Sequence, residues 1–270
     1  MAKTIFITGT STGLGKATAK LFAEKGWHVI ATMRNPEKEK ELNALENVTV
    51  LPLDVTDAER IKETVLKVLD TGTVDVVFNN AGYGLAGPLE STTDEQIVKE
   101  VTTNLLGVIR VTKAFIPAFR KQKHGLFITT TSIGGLVAFP LNSVYHATKW
   151  ALEGWSESLF FELSEFGIGV KTVSPGGIKT DFAGRSLDMS MHPEYNKIME
   201  KFFAAFNNPE REKLRSSAEQ IAAVVYEAAT DGKDILRYVA GADAKALYEK
   251  RNEMGDEAFR KEIAKNFLSK

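Results

Sequence analysis

The amino-acid sequence predicts an α/β protein built as a doubly wound parallel sheet of about seven strands with helices on both faces. Three observations carry that expectation. Short apolar stretches at 4–8, 28–32, 48–53, 74–78, 126–131, 169–173 and 235–239 alternate with helical stretches near 14–25, 36–46, 57–70, 94–121, 143–166 and 218–230, the alternation of strand–helix–strand crossovers. Runs such as Ile5-Phe6-Ile7 and Leu126-Phe127-Ile128 carry no polar residue, as strands buried on both faces do. The first strand passes through a glycine-rich turn straight into a helix. A chain of 270 residues with 43% hydrophobic content can bury one sizeable core, and because the informative stretches span both halves, one domain is expected over 1–270.

The first turn, Thr8-Gly9-Thr10-Ser11-Thr12-Gly13-Leu14-Gly15, opens a helix whose inner face is Leu14, Ala17, Leu21 and Phe22. Strand, glycine turn and helix stand in the order a dinucleotide needs: glycines let backbone approach a pyrophosphate, and the helix N-terminus favours its charge. Gly9, Ser11, Thr12, Gly13, Leu14 and Gly15 are therefore candidate cofactor contacts in a Rossmann-type fold. The spacing is Gly-x-x-x-Gly-x-Gly instead of the commoner Gly-x-Gly-x-x-Gly.

The second strand ends in Ala31-Thr32-Met33-Arg34-Asn35. NAD-preferring sites place a carboxylate here for the ribose 2′-hydroxyl. None is present, and the Arg34 guanidinium suits a 2′-phosphate; the plain alternative is an exposed arginine in the turn before Pro36. Asp54 and Val55 close the third strand, ahead of a helix that Asp54 also suits as part of its N-terminal cap region. Asn80-Ala81-Gly82 follows the fourth strand, where small residues let backbone pass close to an adenosine ribose, or form no more than a turn.

Thr93-Asp94-Glu95-Gln96 has the pattern of a capping box opening the fourth helix, which Pro117 is expected to kink or end. Within it, Asn104 interrupts an apolar face of Ile97, Val101, Leu105 and Val108. Asn competes for backbone hydrogen bonds, so its place there asks for a reason, of which surface exposure is the plain one.

Ser132 follows the strand Leu126–Thr131, at the carboxyl end where open parallel sheets bind ligands. Tyr145-His146-Ala147-Thr148-Lys149 then sets a phenol and an ammonium four residues apart, about 5 to 6 Å between Cβ atoms on one helix face. An ammonium within about 4 to 6 Å lowers a phenol's pKa by about 1 to 3 units, so Lys149 is expected to tune Tyr145 for proton exchange.

Together these stretches resemble the classical short-chain dehydrogenase/reductase family, over residues 4 to about 182 and in the family's order. The resemblance implies a tetrad of Asn104, Ser132, Tyr145 and Lys149, in which Asn104 holds a water that contacts Lys149. It implies that Lys149 bonds the nicotinamide ribose and that Asp54 meets the adenine amino group. It also makes Ser174-Pro175-Gly176-Gly177-Ile178-Lys179-Thr180 the nicotinamide-holding turn, with Pro175, Gly176, Ile178 and Thr180 as contacts. The segments 82–90 and 132–136 look most like the hydroxysteroid and retinol dehydrogenase branch. Thr12 departs from many NADP-preferring relatives, which carry a basic residue there, so the cofactor expected is NADP(H) with NAD(H) as the weaker alternative.

Residues 183–215 hold Met189, Met191, Met199, Phe202, Phe203 and Phe206 among charges. The family places its variable substrate lid here, and flexible, large apolar side chains suit a lipophilic pocket, although such a stripe also serves as core. The charged helical tail 242–270, with apolar spots Leu247, Phe259, Ile263 and Phe267, has no assigned role.

Composition excludes several classes. A net charge of −1 gives no bias toward nucleic acid or an anionic membrane. There is no cysteine, and the four histidines (His28, His124, His146, His192) lack ligand spacing, so no metal is expected. Residues 1 to 10 do not read as a signal peptide and no run reaches a span's length, so a cytoplasmic protein is expected. The sequence thus reads as an enzyme moving hydride between NADP(H) and a small-molecule carbonyl or secondary alcohol, and as a homo-oligomer, dimer or tetramer, given the family's habit of pairing the helices that carry Asn104 and Tyr145. The alternatives are a 3-oxoacyl-thioester reductase and a non-catalytic NADP(H)-sensing protein.

Overall fold

The structure, a computed structural model, describes residues 2–179, 187–206 and 208–268. Seven strands, β1 (Thr4–Thr8), β2 (His28–Met33), β3 (Val48–Pro52), β4 (Val76–Asn79), β5 (Gly125–Thr130), β6 (Ile168–Pro175) and β7 (Arg237–Ala240), form one sheet in the order β3-β2-β1-β4-β5-β6-β7. Every neighbouring pair is parallel, for example Phe6 beside Ile30 on one flank and Val77 on the other. The predicted doubly wound α/β sheet is what the chain forms.

Alternation along each strand divides the core in two. Ile5, Ile7, Val29, Ala31, Val76 and Phe78 face one side, where α1 (Gly13–Glu24) contributes Leu14 and Phe22 and the helix Ala218–Thr230 contributes Ile221, Ala222 and Val225. Phe6, Ile30, Val77, Phe127 and Val170 face the other, covered by α2 (Ala58–Thr71), by Val111, Phe115 and Phe119 of the helix Gly107–Gln122, and by Leu159 and Leu163 of the helix Ser143–Ser164. With helices burying both faces, the edges at the carboxyl ends of the strands stay open for a site.

Several sequence expectations need correction. The stretch 36–46 is not a helix but two 3-10 turns, Pro36–Lys38 and Leu42–Ala44. The buried Glu39 carboxylate accepts from the backbone N–H groups of Glu41 (2.9 Å) and Leu42 (3.0 Å) and pairs with Lys16 (3.2 Å), so a side chain takes the place of helical carbonyls. The predicted helix 94–121 is α3 (Asp94–Val101), a π turn over Thr102–Leu106, then α4 (Gly107–Gln122). Its capping box forms as expected, with Thr93 Oγ1 accepting from Gln96 N–H at 3.2 Å. Pro117 does not end α4; it lies on the exposed side between the buried Phe115 and Phe119, whose packing holds the helix through to Lys123 in left-handed conformation (φ 58°).

The tail forms α-helices Ala242–Met254 and Asp256–Phe267, which pack Ala244 and Phe259 against Ile133, Leu136 and Val137. Arg251 donates to Leu136 O at 2.9 Å and lies over the Trp150 ring. Asp243 accepts from Gly177 N–H at 2.7 Å, and a Cβ on Gly176 would overlap its carboxylate. The segment left without a role in the sequence thus braces the loop after β5 and the turn after β6. Replacing Asp243 with Ala leaves Gly177 N–H without its charged acceptor and should destabilise the protein by about 1.5–3 kcal/mol, read as a lower urea midpoint at constant slope.

Candidate active site

The end of β1 is locked to the ends of β2 and β4. Gly9 N–H and Thr10 N–H both donate to Thr32 O, at 2.9 and 3.1 Å. Thr8 Oγ1 accepts from the N–H groups of Asn80 and Ala81, each at 3.0 Å, while Asn80 Nδ2 donates to Thr8 O and Gly9 O, each at 3.1 Å. The glycines are there because nothing larger fits. Gly9 has φ +72° and its Cβ would lie 2.7 Å from Ala81 Cα; a Cβ on Gly15 would overlap Gly9 O. Gly13, with φ 57°, starts α1, whose N-cap Thr12 makes no side-chain capping bond. Ser11 and Thr12 are exposed beside this helix end, and Leu14 is buried beneath it.

Arg34 follows β2 on the same side of the sheet, exposed and without a hydrogen bond or ion pair among the described residues. Asp54 accepts from Thr56 N–H (2.9 Å) and Thr56 Oγ1 (2.8 Å), leaving the cap of α2 to Asp57, which accepts from Arg60 N–H at 3.0 Å. Val55 is buried and packs on Gly107, where a Cβ would sit 3.0 Å from it.

Asn104 is fully buried, so exposure is not the reason for its place. Its amide spans the start of the segment after Gly82: Oδ1 accepts from Tyr83 N–H at 3.0 Å, and Nδ2 donates to Tyr83 O and to Glu100 Oε1, both at 2.8 Å. It lies inside the π turn, where the helical register is already broken. A Cβ on Gly82 would lie 3.0 Å from Asn104 Oδ1 and 3.9 Å from Lys149 Nζ, so glycine there lets backbone, amide and ammonium crowd together.

α5 (Ser143–Ser164) presents Tyr145 and Lys149 on one face, with Lys149 Nζ 5.8 Å from the centre of the Tyr145 ring. Lys149 is buried and donates to Thr130 O at 3.0 Å. Ser132 stands just past β5, its Oγ accepting from Gly134 N–H at 3.0 Å and its hydroxyl also neighbouring Tyr145. His146 pins this loop to α5: Nδ1 bonds Gly134 O at 2.5 Å and Nε2 accepts from Phe139 N–H at 3.1 Å. That arrangement requires the neutral ring protonated on Nδ1, and burial moves its pKa in the same direction, downward.

The electrostatics differ from the expected tuning. Burial pushes the Tyr145 phenol up to about 12, opposed by the Ser132 hydroxyl and reinforced by the Glu100 carboxylate. Burial pushes Lys149 down to about 8, opposed by Glu100 and Glu153. The expected net lowering of Tyr145 does not result: the Lys149 ammonium donates to Thr130 O, and desolvation sets the direction of the shift. Glu100, fully buried, is itself pushed up to about 8.

At the end of β6, Pro175 and Gly176 lie beside β7, with Gly176 N–H donating to Ala240 O at 3.0 Å, and Ile178 pairs with Ser216 in a short two-stranded ladder. Thr180 falls outside the described residues, as does part of the segment 183–215. Of the described part of 183–215, Leu187–Met189 pairs with Gly84–Ala86, Met199 is buried, Met191 is exposed, and Phe202 stacks on Phe206. The structure therefore brings Asn104, Ser132, Tyr145 and Lys149 together beside the glycine turn, Asn80–Gly82 and the Pro175 turn. Sequence reading missed Glu100, Tyr83, His146, Asp243 and Arg251. Only His146 carried a visible signal, as a titratable ring beside Tyr145.

Comparison with known proteins agrees with this geometry. The family model for short chain dehydrogenases matches residues 3–190. An uncharacterised oxidoreductase of Schizosaccharomyces pombe is 39% identical over 228 residues, 84% of this chain and 96% of that protein. Retinol dehydrogenase 8 of Homo sapiens is 34% identical over 230 residues, 81% of this chain and 73% of that one. The solved structure of ElxO with NADP bound has a TM-score of 0.78 and 29% identity, covering 91% of this chain and 100% of that chain. The chain belongs to the short-chain dehydrogenase family of oxidoreductases.

Proposed function

We propose that this protein reduces the carbonyl group of a lipophilic small molecule, or oxidises the matching secondary alcohol, with NADP(H). The observation that carries the reading is the convergence of Ser132, Tyr145 and Lys149 at the carboxyl end of β5, behind an Asn104 whose amide is fully engaged.

The residues fit a dinucleotide phosphate. The start of α1 has backbone N–H groups that no side chain caps, Gly13 keeps that start bare, and Arg34 is an exposed cation free to pair. Gly9, Ser11, Thr12, Leu14 and Gly15 would form the pyrophosphate cradle, Asp54, Val55, Asn80, Ala81 and Gly82 the adenosine side, and Pro175, Gly176, Ile178 and Thr180 the nicotinamide side. ElxO, 29% identical, has been solved with NADP bound.

Bound nicotinamide supplies the hydride to the carbonyl carbon in reduction and accepts it in oxidation. Ser132 and Tyr145 hydroxyls hydrogen-bond the carbonyl oxygen and polarise it. As negative charge grows on that oxygen, Tyr145 Oη gives up its proton to it. A phenol held near 12 is protonated at neutral pH, the state reduction requires. The Lys149 ammonium, buried close by, offsets the phenolate that results. Asn104 holds the Gly82–Tyr83 backbone in place opposite Lys149.

The lipophilic substrate class is supported by the apolar side chains Met199, Phe202 and Phe206, which follow the strand Leu187–Met189 paired to Gly84–Ala86, and by the likeness to a retinol dehydrogenase. We also infer a homo-oligomer through the helices carrying Asn104 and Tyr145, where Phe161 and Trp150 lie exposed on α5.

Tyr145→Phe should lower kcat for carbonyl reduction by about 10² to 10⁴ with little change in NADPH affinity; rates equal to the parent's would exclude the mechanism. Arg34→Asp should remove a preference for NADPH over NADH of roughly tenfold to a hundredfold. Dissociation constants for both cofactors, titrated on parent and variant, decide this, and an unchanged ratio would leave Arg34 a solvated turn residue.

A further inference from the structure

Glu100 is the buried ionisable group of this site that the mechanism above leaves unused. It lies on α3, one helical turn before Asn104, with no exposed surface. Oε1 accepts from Asn104 Nδ2 at 2.8 Å, while Oε2 is buried with no hydrogen-bond partner. The Tyr83 hydroxyl, likewise buried without a partner in hydrogen-bonding geometry, lies against the same carboxyl. The charged groups facing Glu100 are Lys149 from α5, Asp188 from the strand Leu187–Met189, and Lys99 from its own helix. Asp188 is occupied elsewhere, accepting from Gln96 Nε2 at 3.0 Å with Lys99 at 3.9 Å, and Lys99 lies over the Tyr83 ring. Tyr145 faces Glu100 as well.

We propose that Glu100 is a positioning residue for the Tyr145–Lys149 pair: its carboxyl fixes the Asn104 amide, and by gaining or losing its proton it sets how firmly Lys149 holds its charge. The inference rests on the reading of Tyr145 and Lys149 given above. An ordinary hydrogen-bond acceptor for Asn104 needs no ionisable group, and an unpartnered buried oxygen is a costly way to supply one. A carboxyl in this place does something an amide does not. When ionised it raises Lys149 and Tyr145 together, so the ammonium and the phenol both stay protonated to higher pH. When protonated it withdraws that support. Burial brings Glu100 and Lys149 each to about 8, so the exchange falls in the working range of a neutral-pH enzyme.

The sign of the effect follows. Glu100→Gln keeps the shape and the acceptor for Asn104 but never ionises. At pH 6 the parent carries the neutral acid and resembles the variant in charge. By pH 9 the parent's Glu100 carboxylate supports Lys149 alongside Glu153, whereas in the variant that support falls to Glu153 alone. The alkaline limb of kcat/KM for NADPH-dependent carbonyl reduction should therefore move to lower pH, and the variant-to-parent ratio should fall about tenfold from pH 6 to pH 9, the equivalent of one pKa unit. In parallel, the infrared carbonyl band of a protonated carboxylic acid should be present in the parent at pH 6, fade by pH 9, and be missing from Glu100→Gln. Should that variant not fold, Tyr83→Phe removes the hydroxyl that favours the Glu100 carboxylate and should move the same limb in the same direction. A ratio that stays constant or rises with pH, or the lack of a titrating acid band, overturns the proposal. If Tyr145→Phe abolishes turnover while the ratio stays flat, this inference alone fails; if Tyr145→Phe turns over as the parent does, the underlying mechanism fails.

Discussion

The close approach of the ends of β1 and β4 is the constraint on which the site depends. Asn80 donates from its backbone N–H to Thr8 Oγ1 and from its side chain to Thr8 O and Gly9 O, and these bonds draw the glycine turn so near to Ala81 that a Cβ on Gly9 would lie 2.7 Å from its Cα. Gly15 must then be bare to pass Gly9 O. The glycines serve protein packing, since a side chain at either position would collide with neighbouring backbone. The same closeness carries β4's continuation to Gly82 and Tyr83, where the Asn104 amide takes hold of it.

From that point the site is governed by desolvation. The half-buried Tyr145 sits with the buried Lys149 and Glu100, and desolvation pushes each toward its neutral form: the phenol and the carboxyl upward, the ammonium downward. Lys149 and Glu100 offset part of this for each other. A site in which two opposite charges are each close to being lost responds strongly to small changes in its surroundings, whether a ligand's arrival or the closure of apolar residues over it. The short strand Leu187–Met189, paired to Gly84–Ala86, brings Asp188 within reach of that balance.

Much of this was legible in the sequence, for physical reasons particular to each stretch. The strands were plain because burial on both faces leaves uninterrupted apolar runs such as Ile5-Phe6-Ile7. The glycine turn and the Tyr145–Lys149 spacing were plain because local backbone geometry dictates them. Asn104 was visible as an anomaly, and its partners were not: Tyr83 is 21 residues away along the chain. The 3-10 turns at 36–44 escaped because Glu39, a charged residue in a polar stretch, is buried by a contact with Lys16 from another element. The role of the tail escaped for the same reason. Asp243 and Arg251 look like ordinary charges on a charged helix until the fold sets them against Gly177 and Leu136. The lowered Tyr145 pKa expected from spacing alone also failed, because spacing fixes proximity and says nothing of burial.

The account's central claim is that hydride passes between a nicotinamide and a carbonyl carbon seated against Ser132 and Tyr145. The most direct measurement uses NADPH carrying deuterium at the transferable position, with a panel of lipophilic ketones and aldehydes and analysis of the alcohols formed by mass spectrometry. The account predicts one deuterium on the carbinol carbon of each product that turns over. Alcohol formed without deuterium, or NADPH binding with no alcohol formed from any member of the panel, would contradict it.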